Sequence, residues 1–277
     1  MVRAEAKPSE VDPRPEPIWY FRSLALYKGK YPAYYDVSEL PGTKVLEDNY
    51  EAIRDEILTF YRGHAERISP NNIPYTYEDP GWRTHTLYAF GLRHEDNCAD
   101  LPFLDSVVSQ IPDMVTATVS ILEPHTRIHA HVGASSGVIR THLGISVPGA
   151  YPEVGIRVRG HGRGWEEGKL FGIEMAHRHL AWNTTDQFRI ALTVDTIKPE
   201  YADRKADICG RCLALLAMQT ITTKVPLTKR LPRPVVGLVH TGASLAVRAV
   251  ISGQRAYLRA RRPAPAPSRR PDLAEAS

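Results

Sequence analysis

Between Lys44 and Tyr61 the apolar positions Val45, Leu46, Tyr50, Ile53, Ile57, Leu58 and Tyr61 recur at spacings of three and four, with charges between them. That is the period of an amphipathic helix. Leu101 to Ile111 has the same period and stops at Pro112. Trp82 to Leu92 alternates instead, as a strand with one covered face does. From Met114 the texture is β: Val115, Ala117, Val119 and Ile121 alternate with Thr and Ser. Val138 to Val147, Val154 to Val158 and Phe188 to Ile197 are apolar runs of strand length, punctuated by Pro124, Pro148-Gly149 and the glycines of residues 160–164. Short strands with turn signals and no intervening helix predict a mainly β protein with flanking helices, its core a barrel or jelly roll. After Tyr201 the period is helical again through Cys209–Thr220, and Val235–Tyr257 is rich in Ala and Val with scattered Arg.

The ends have a different composition. Residues 1–18 form a Pro, Glu and Arg-rich arm expected to be mobile, and the aromatic-rich Trp19 to Tyr35, broken by Gly29 and Pro32, is expected to pack onto a surface. Asn71 to Gly81 reads as a loop, and Arg259 to Ser277, rich in Arg, Pro and Ala, as a disordered tail. The expected organisation is an N-terminal arm over 1–44, a main domain over 45–202 and a basic helical extension over 203–277. Residues 203–277 hold 14 basic and 4 acidic residues, against 21 basic and 27 acidic in the remainder. The body is thus mildly acidic, which argues against nucleic acid as a partner, while the basic end suits peripheral contact with an acidic membrane or protein. The first 17 residues lack the apolar run of a secretory signal, and the chain has three cysteines, an odd number. Together these predict a reducing, cytoplasmic setting. No stretch of 18 apolar residues is free of charge, so no ordinary membrane-spanning helix is expected. Cys209-x-x-Cys212 is read as two small buried residues on a helix.

Two His-x-His pairs carry the candidate chemistry: His129 with His131, and His177 with His179. Residues i and i+2 of a strand share a face, so each pair can aim two imidazoles at one point. Imidazole suits Fe, Zn, Cu and Ni. The common non-haem iron triad adds a carboxylate, yet the position two after His131 is Gly133. Arg140 and His142 lie at i and i+2 of one strand, and Arg189 begins an almost wholly apolar run. A buried guanidinium needs an anionic partner. That partner is either a structural carboxylate, Asp186 or Asp195, or a dicarboxylate ligand.

At these residues the chain resembles the aspartyl/asparaginyl β-hydroxylase family of iron(II)- and 2-oxoglutarate-dependent dioxygenases. Ser120-Ile-Leu-Glu-Pro-His-Thr-Arg-Ile-His-Ala-His131-Val-Gly133 is similar to the strand leading into the family's first metal histidine. Arg140-Thr-His142-Leu-Gly-Ile is similar to its R-x-H-L-G-L strand, and Trp165 to Phe171 followed by His179-Leu-Ala-Trp182-Asn183 to its W-x-x-G…F…H-x-x-W segment. Arg189 follows His179 by ten residues, as in the family. The resemblance is strong over about 101–200 and weak over about 45–100.

The resemblance implies a double-stranded β-helix of the jelly-roll or cupin-like kind. It implies Fe(II) on His131 and His179, and 2-oxoglutarate with its distal carboxylate on Arg189 and Ser120. Arg140 and His142 would face the other end of the cosubstrate or the substrate. The family carries glycine where the carboxylate ligand would be, as at Gly133. His129 and His177 then lie outside the metal shell, although a shift of register by two would hand the ligand role to His177. Val138 stands where the family often has a further arginine that holds an acidic side chain, and Phe171-Gly172-Ile173-Glu174 replaces its acidic turn. The expected substrate is an amino acid or amino-acid residue, free, peptide-bound or carrier-bound. A fatty-acyl or lipid substrate is the alternative, disfavoured here by the expected absence of spanning helices. Two further readings are a cupin-like histidine-metal enzyme that does not use 2-oxoglutarate, and a binding module with a decayed site.

Overall fold

The computed structural model describes residues 15–21, 26–40, 42–71, 81–225 and 231–261. The mobile arm expected at 1–18, the loop at 71–81 and the tail after Arg259 lie for the most part outside the described residues. Chain order begins with a short strand, β1 (Tyr34–Tyr35), then helices α1 (Lys44–Asp48) and α2 (Tyr50–Gly63). Strands β2 (Ser69–Pro70), β3 (Trp82–Ala89) and β4 (Leu92–Arg93) precede helices α3 (Glu95–Asp100) and α4 (Pro102–Val108). Eight strands follow: β5 (Met114–Leu122), β6 (Thr126–His131), β7 (Val138–Ser146), β8 (Val154–Val158), β9 (His161–Arg163), β10 (Leu170–Glu174), β11 (His179–Asn183) and β12 (Arg189–Ile197). Helices α5 (Lys205–Lys224) and α6 (Arg233–Arg261) close the described chain.

The strands form two antiparallel sheets, the double-stranded β-helix. The larger runs β1-β10-β7-β12-β5-β3-β2 with β4 beside β3, and the smaller runs β6-β11-β8-β9. All nine residues of β12 are buried, which is why its sequence is nearly continuous in apolar residues rather than alternating. The alternation survives in what each face meets. Ile190, Leu192 and Val194 pack with Ile53 and Ile57 of α2 and with Leu104 and Val107 of α4, whereas Ala191 and Ile197 belong to the core between the sheets with Ile156 and Val158. On β7 the parity is the same: Leu143 and Ile145 face the helices, and Arg140 and His142 line the interior cavity. On β5, Val119 and Ile121 face the helices, and Thr116, Thr118 and Ser120 face the cavity. The helical layer covers one face, leaving the other free to carry polar groups into a closed interior.

Between the sheets and the N-terminal segment lies a buried ion pair. Lys198 Nζ donates to Glu174 Oε2 at 2.6 Å, Tyr35 Oη donates to the same oxygen at 2.7 Å, and the Ala176 amide donates to Oε1 at 3.1 Å. Glu174 therefore has a packing role and takes no part in the cavity. Cys98, Cys209 and Cys212 are free thiols in the core. One expectation needs correction: helix α6 runs to Arg261, past the point where an unstructured tail was expected. Residues Pro234–Ala260 are long and apolar enough to cross a membrane by length and composition alone.

Lys198→Met leaves the carboxylate of Glu174 buried without its cation. Unfolding in urea is expected to show a loss of about 3–5 kcal/mol, and the double variant Glu174→Leu/Lys198→Met a smaller one. A double-variant loss equal to the sum of the Glu174→Leu and Lys198→Met losses would mean the pair is not coupled.

Candidate active site

His131 on β6 and His179 on β11 are direct partners in the register of the smaller sheet. Opposed positions bring side chains on one face together, and the two ring centres lie 4.2 Å apart. Each ring is fixed in the same way. His131 Nδ1–H donates to the carbonyl oxygen of His129 at 2.8 Å, and His179 Nδ1–H to that of His177 at 2.8 Å. A carbonyl oxygen can only accept, so Nδ1 carries the proton and the Nε2 lone pair is left for a metal. Burial holds both rings neutral. His131 is pushed down to about 4 by burial, with the Arg140 charge adding to it. His179 is held well below the usual range by burial and then by the neighbouring His131. Neutral imidazoles with an oriented lone pair are what a divalent metal requires.

The i, i+2 logic of the sequence thus operates through the backbone. His129 and His177 supply carbonyls, not imidazoles. The His177 ring instead bonds the Tyr31 carbonyl at 2.8 Å and packs against Tyr27, so the slipped register does not occur.

Arg189 is 2% exposed and has no carboxylate partner among the described residues. Asp195 is spoken for: it lies opposite Arg140 in the register and takes both prongs of that guanidinium, at 2.6 and 2.8 Å. Asp186 bonds His125 at 2.8 Å. Arg189 makes one contact, from Nη1 to the Ser120 carbonyl at 3.3 Å, and its Nε has no partner. Its guanidinium lies 4.7 Å above the Trp165 ring. Burial alone pushes the group down to about 10. Neither ring nitrogen of the buried His142 has a partner, and burial together with Arg140 and Arg189 keeps that ring neutral. Its plane stacks on Phe171 at 5.1 Å, and Phe171 is its cross-strand neighbour. Ser120 Oγ accepts from Trp82 Nε1 at 3.0 Å, which leaves the hydroxyl proton free to donate. A lone cation, an idle imidazole and a hydroxyl in one cavity make a cradle for an anion.

His131, His179, Ser120, Arg140, His142 and Arg189 all line that cavity, whose volume is about 250 Å³. Arg140, expected to meet ligand directly, arrives already neutralised by Asp195. Sequence reasoning missed three contributors: Asp195 as the partner of Arg140, Trp165 as the plate over Arg189, and Trp82 as the donor that orients Ser120. Trp82 could have been found from its parity with Thr84 and Thr86 on β3, whereas Trp165 lies outside any strand. The Asp195 assignment needed the register.

No third ligand can come from position 133. A Cβ on Gly133 would sit 2.8 Å from Met175 Cβ and 2.9 Å from the Met175 carbonyl oxygen, on the strand-edge contact where Gly133 N–H donates to that carbonyl at 2.7 Å. Among the described residues no group of three or more His, Cys, Asp or Glu could hold a metal. Gly133→Asp is expected to lower stability by about 1–3 kcal/mol through overpacking, without tightening Mn(II) binding in a calorimetric titration. Tighter binding would show that the backbone can yield and accept a carboxylate.

Comparison with known proteins agrees with this geometry. The family profile described as Aspartyl/Asparaginyl beta-hydroxylase matches residues 47–199. An ornithine lipid ester-linked acyl 2-hydroxylase from Rhizobium tropici is 36% identical over 172 residues, covering 61% of this chain and 61% of that protein. The human aspartyl/asparaginyl beta-hydroxylase is 28% identical over 164 residues, covering 57% of this chain and 21% of that protein. The match therefore spans less than two thirds of either relative. A prolyl hydroxylase from Trichoplax adhaerens overlaps with a TM-score of 0.41 at 10% identity, over 62% of this chain and 86% of that chain. With the profile covering more than half of the sequence and both histidines, the chain belongs to the aspartyl/asparaginyl β-hydroxylase family.

Proposed function

We propose that this protein is an Fe(II)- and 2-oxoglutarate-dependent dioxygenase that hydroxylates the acyl chain of a lipid. The observation that carries the cofactor reading is Arg189: a guanidinium buried without a carboxylate, in the same cavity as two neutral imidazoles. A fold retains an unpaired buried charge at a cost, and an incoming dianion offsets that cost. His131 and His179 would hold iron through Nε2, with the tautomer set by the carbonyls of His129 and His177. Arg189 and the Ser120 hydroxyl would take the far carboxylate of 2-oxoglutarate, and neutral His142 can donate to its other end. Trp165 covers the guanidinium and keeps water from it. Bound iron would supply the chemistry in which one atom of O2 enters a C–H bond and the other enters succinate as CO2 leaves.

The substrate reading departs from the amino acid favoured by the sequence. Arg140 and Arg189 are the charged side chains lining the cavity, and Asp195 occupies Arg140. No lining carboxylate meets a substrate ammonium among the described residues. The remaining wall includes Phe21, Ile128, Val132, Met175, Leu215 and Leu216, which suits a hydrocarbon chain. The similarity to a lipid acyl hydroxylase supports the same choice.

Incubation with Fe(II), 2-oxoglutarate, O2 and acyl lipids is expected to yield succinate together with a lipid that gains one oxygen atom. Succinate formed without iron, or an oxygenated amino acid with unmodified lipid, would contradict the reading. Arg189→Met is expected to weaken 2-oxoglutarate by a factor on the order of 100 to 1,000, since losing one partner of a buried charge pair costs about 3–5 kcal/mol. Its melting temperature should not fall, because the free protein loses an unpaired charge. A stability loss with less than tenfold change in binding would make Arg189 a structural residue.

A further inference from the structure

Helix α6 is apolar where it faces solvent. Leu238 is 75% exposed, Val250 59%, Leu245 58%, Tyr257 54%, Val239 48% and Val235 41%. At 3.6 residues per turn these positions fall within an arc of about 140° that carries no charge. The opposite face is tied down. Ser244 and Ile251 are buried, the Gln254 side chain bonds both the amide and the carbonyl of Arg93 at 2.9 and 2.7 Å, and Arg248 Nη1 lies 3.9 Å from Asp207. A helix fastened in this way along its inner face lies flat and cannot cross a bilayer without breaking those contacts. It is also not the buried core helix of a soluble protein, since only 11% of its apolar window is covered.

Charge identifies what covers it. Between residues 233 and 261 there are five arginines and no acidic residue. By the same helical wheel Arg248, Arg255 and Arg259 fall within about 40° of one another, on one flank between the tethered face and the apolar arc. That is the pattern of a helix lying in the plane of an anionic membrane, its apolar side in the acyl boundary and its cations at the headgroups. The neighbouring helix continues the surface: Ile221 is 52% exposed and Val225 48%. On its other side α5 supplies Leu215, Leu216 and Gln219 to the wall of the cavity.

We infer that the exposed face of α6 docks this protein flat on an anionic phospholipid surface, which sets the cavity beside α5 against the bilayer from which its substrate comes. This deepens the acyl-lipid reading and rests on it for its purpose. The docking itself does not need the chemistry.

The test is co-sedimentation of the full chain with vesicles of phosphatidylglycerol and phosphatidylcholine, and with vesicles of phosphatidylcholine alone. Strong binding to the anionic vesicles and at least tenfold weaker binding to neutral ones is expected. The triple variant Leu238→Ser/Leu245→Ser/Val250→Ser should lose at least tenfold in partitioning while keeping Mn(II) and 2-oxoglutarate affinity, which shows that it folds. Arg255→Glu/Arg259→Glu should abolish the preference for anionic lipid. No vesicle binding, or binding that the triple variant keeps, overturns the inference. A dimer that the triple variant dissolves overturns it as well, by giving the face to a second copy. Hydroxylation of lipid in detergent micelles separates the two readings. Activity there without vesicle binding removes the docking alone, and vesicle binding without activity removes the acyl substrate alone.

Discussion

The guanidinium of Arg189 is the constraint around which the interior is arranged. It begins a strand buried on both faces, and burial pushes it down to about 10 without any carboxylate to oppose that shift. The nearest candidate along the strand, Asp195, is held by both prongs of Arg140. Two arginines thus enter one cavity, and among the described residues a carboxylate neutralises only Arg140. The difference is an attraction for an anion, strengthened by the low dielectric of the cavity and shaped by the plate of Trp165 and the hydroxyl of Ser120. In the proposed site this uncompensated charge would be met by the carboxylate of a ligand, in contrast to the completed pair of Arg140 and Asp195.

Strand parity delivers the rest. Because β5, β7 and β12 give their alternate residues to the helical layer, the remaining alternates can be polar without opening the core. The histidines come from the other sheet, where direct register pairing brings the rings within 4.2 Å. Their carbonyl bonds two residues back fix the tautomer through main-chain atoms alone, without using the imidazoles of His129 and His177. Close approach of the Met175 carbonyl excludes a side chain at Gly133, so no protein carboxylate reaches the two rings from that position.

Much of this was legible in the sequence. The helical periods of α2 and α4 and the strands β3, β5, β7, β8 and β12 follow from apolar spacing, because each buries one face against a layer or both within the core. β6, β10 and β11 were recognised only through motif resemblance, since each is short and mixes His, Gly or charged residues with its apolar ones. The two His-x-His pairs and Arg189 stood out by spacing and apolar context, whereas the choice of His131 and His179 within the pairs came from the family resemblance. The partner of Arg140 could not be read from spacing: Asp186 and Asp195 were equal candidates for Arg189 until register separated them. The extension of α6 past Arg259 was not legible, because the Arg, Pro and Ala-rich composition there reads as a tail.

The most direct measurement is a crystal structure grown without oxygen from protein with Mn(II) and 2-oxoglutarate. Metal on Nε2 of both His131 and His179, with a carboxylate seated on the Arg189 guanidinium, is the expected result. Metal bound elsewhere, or an Arg189 still without an anion while the ligand lies in another part of the cavity, would contradict it.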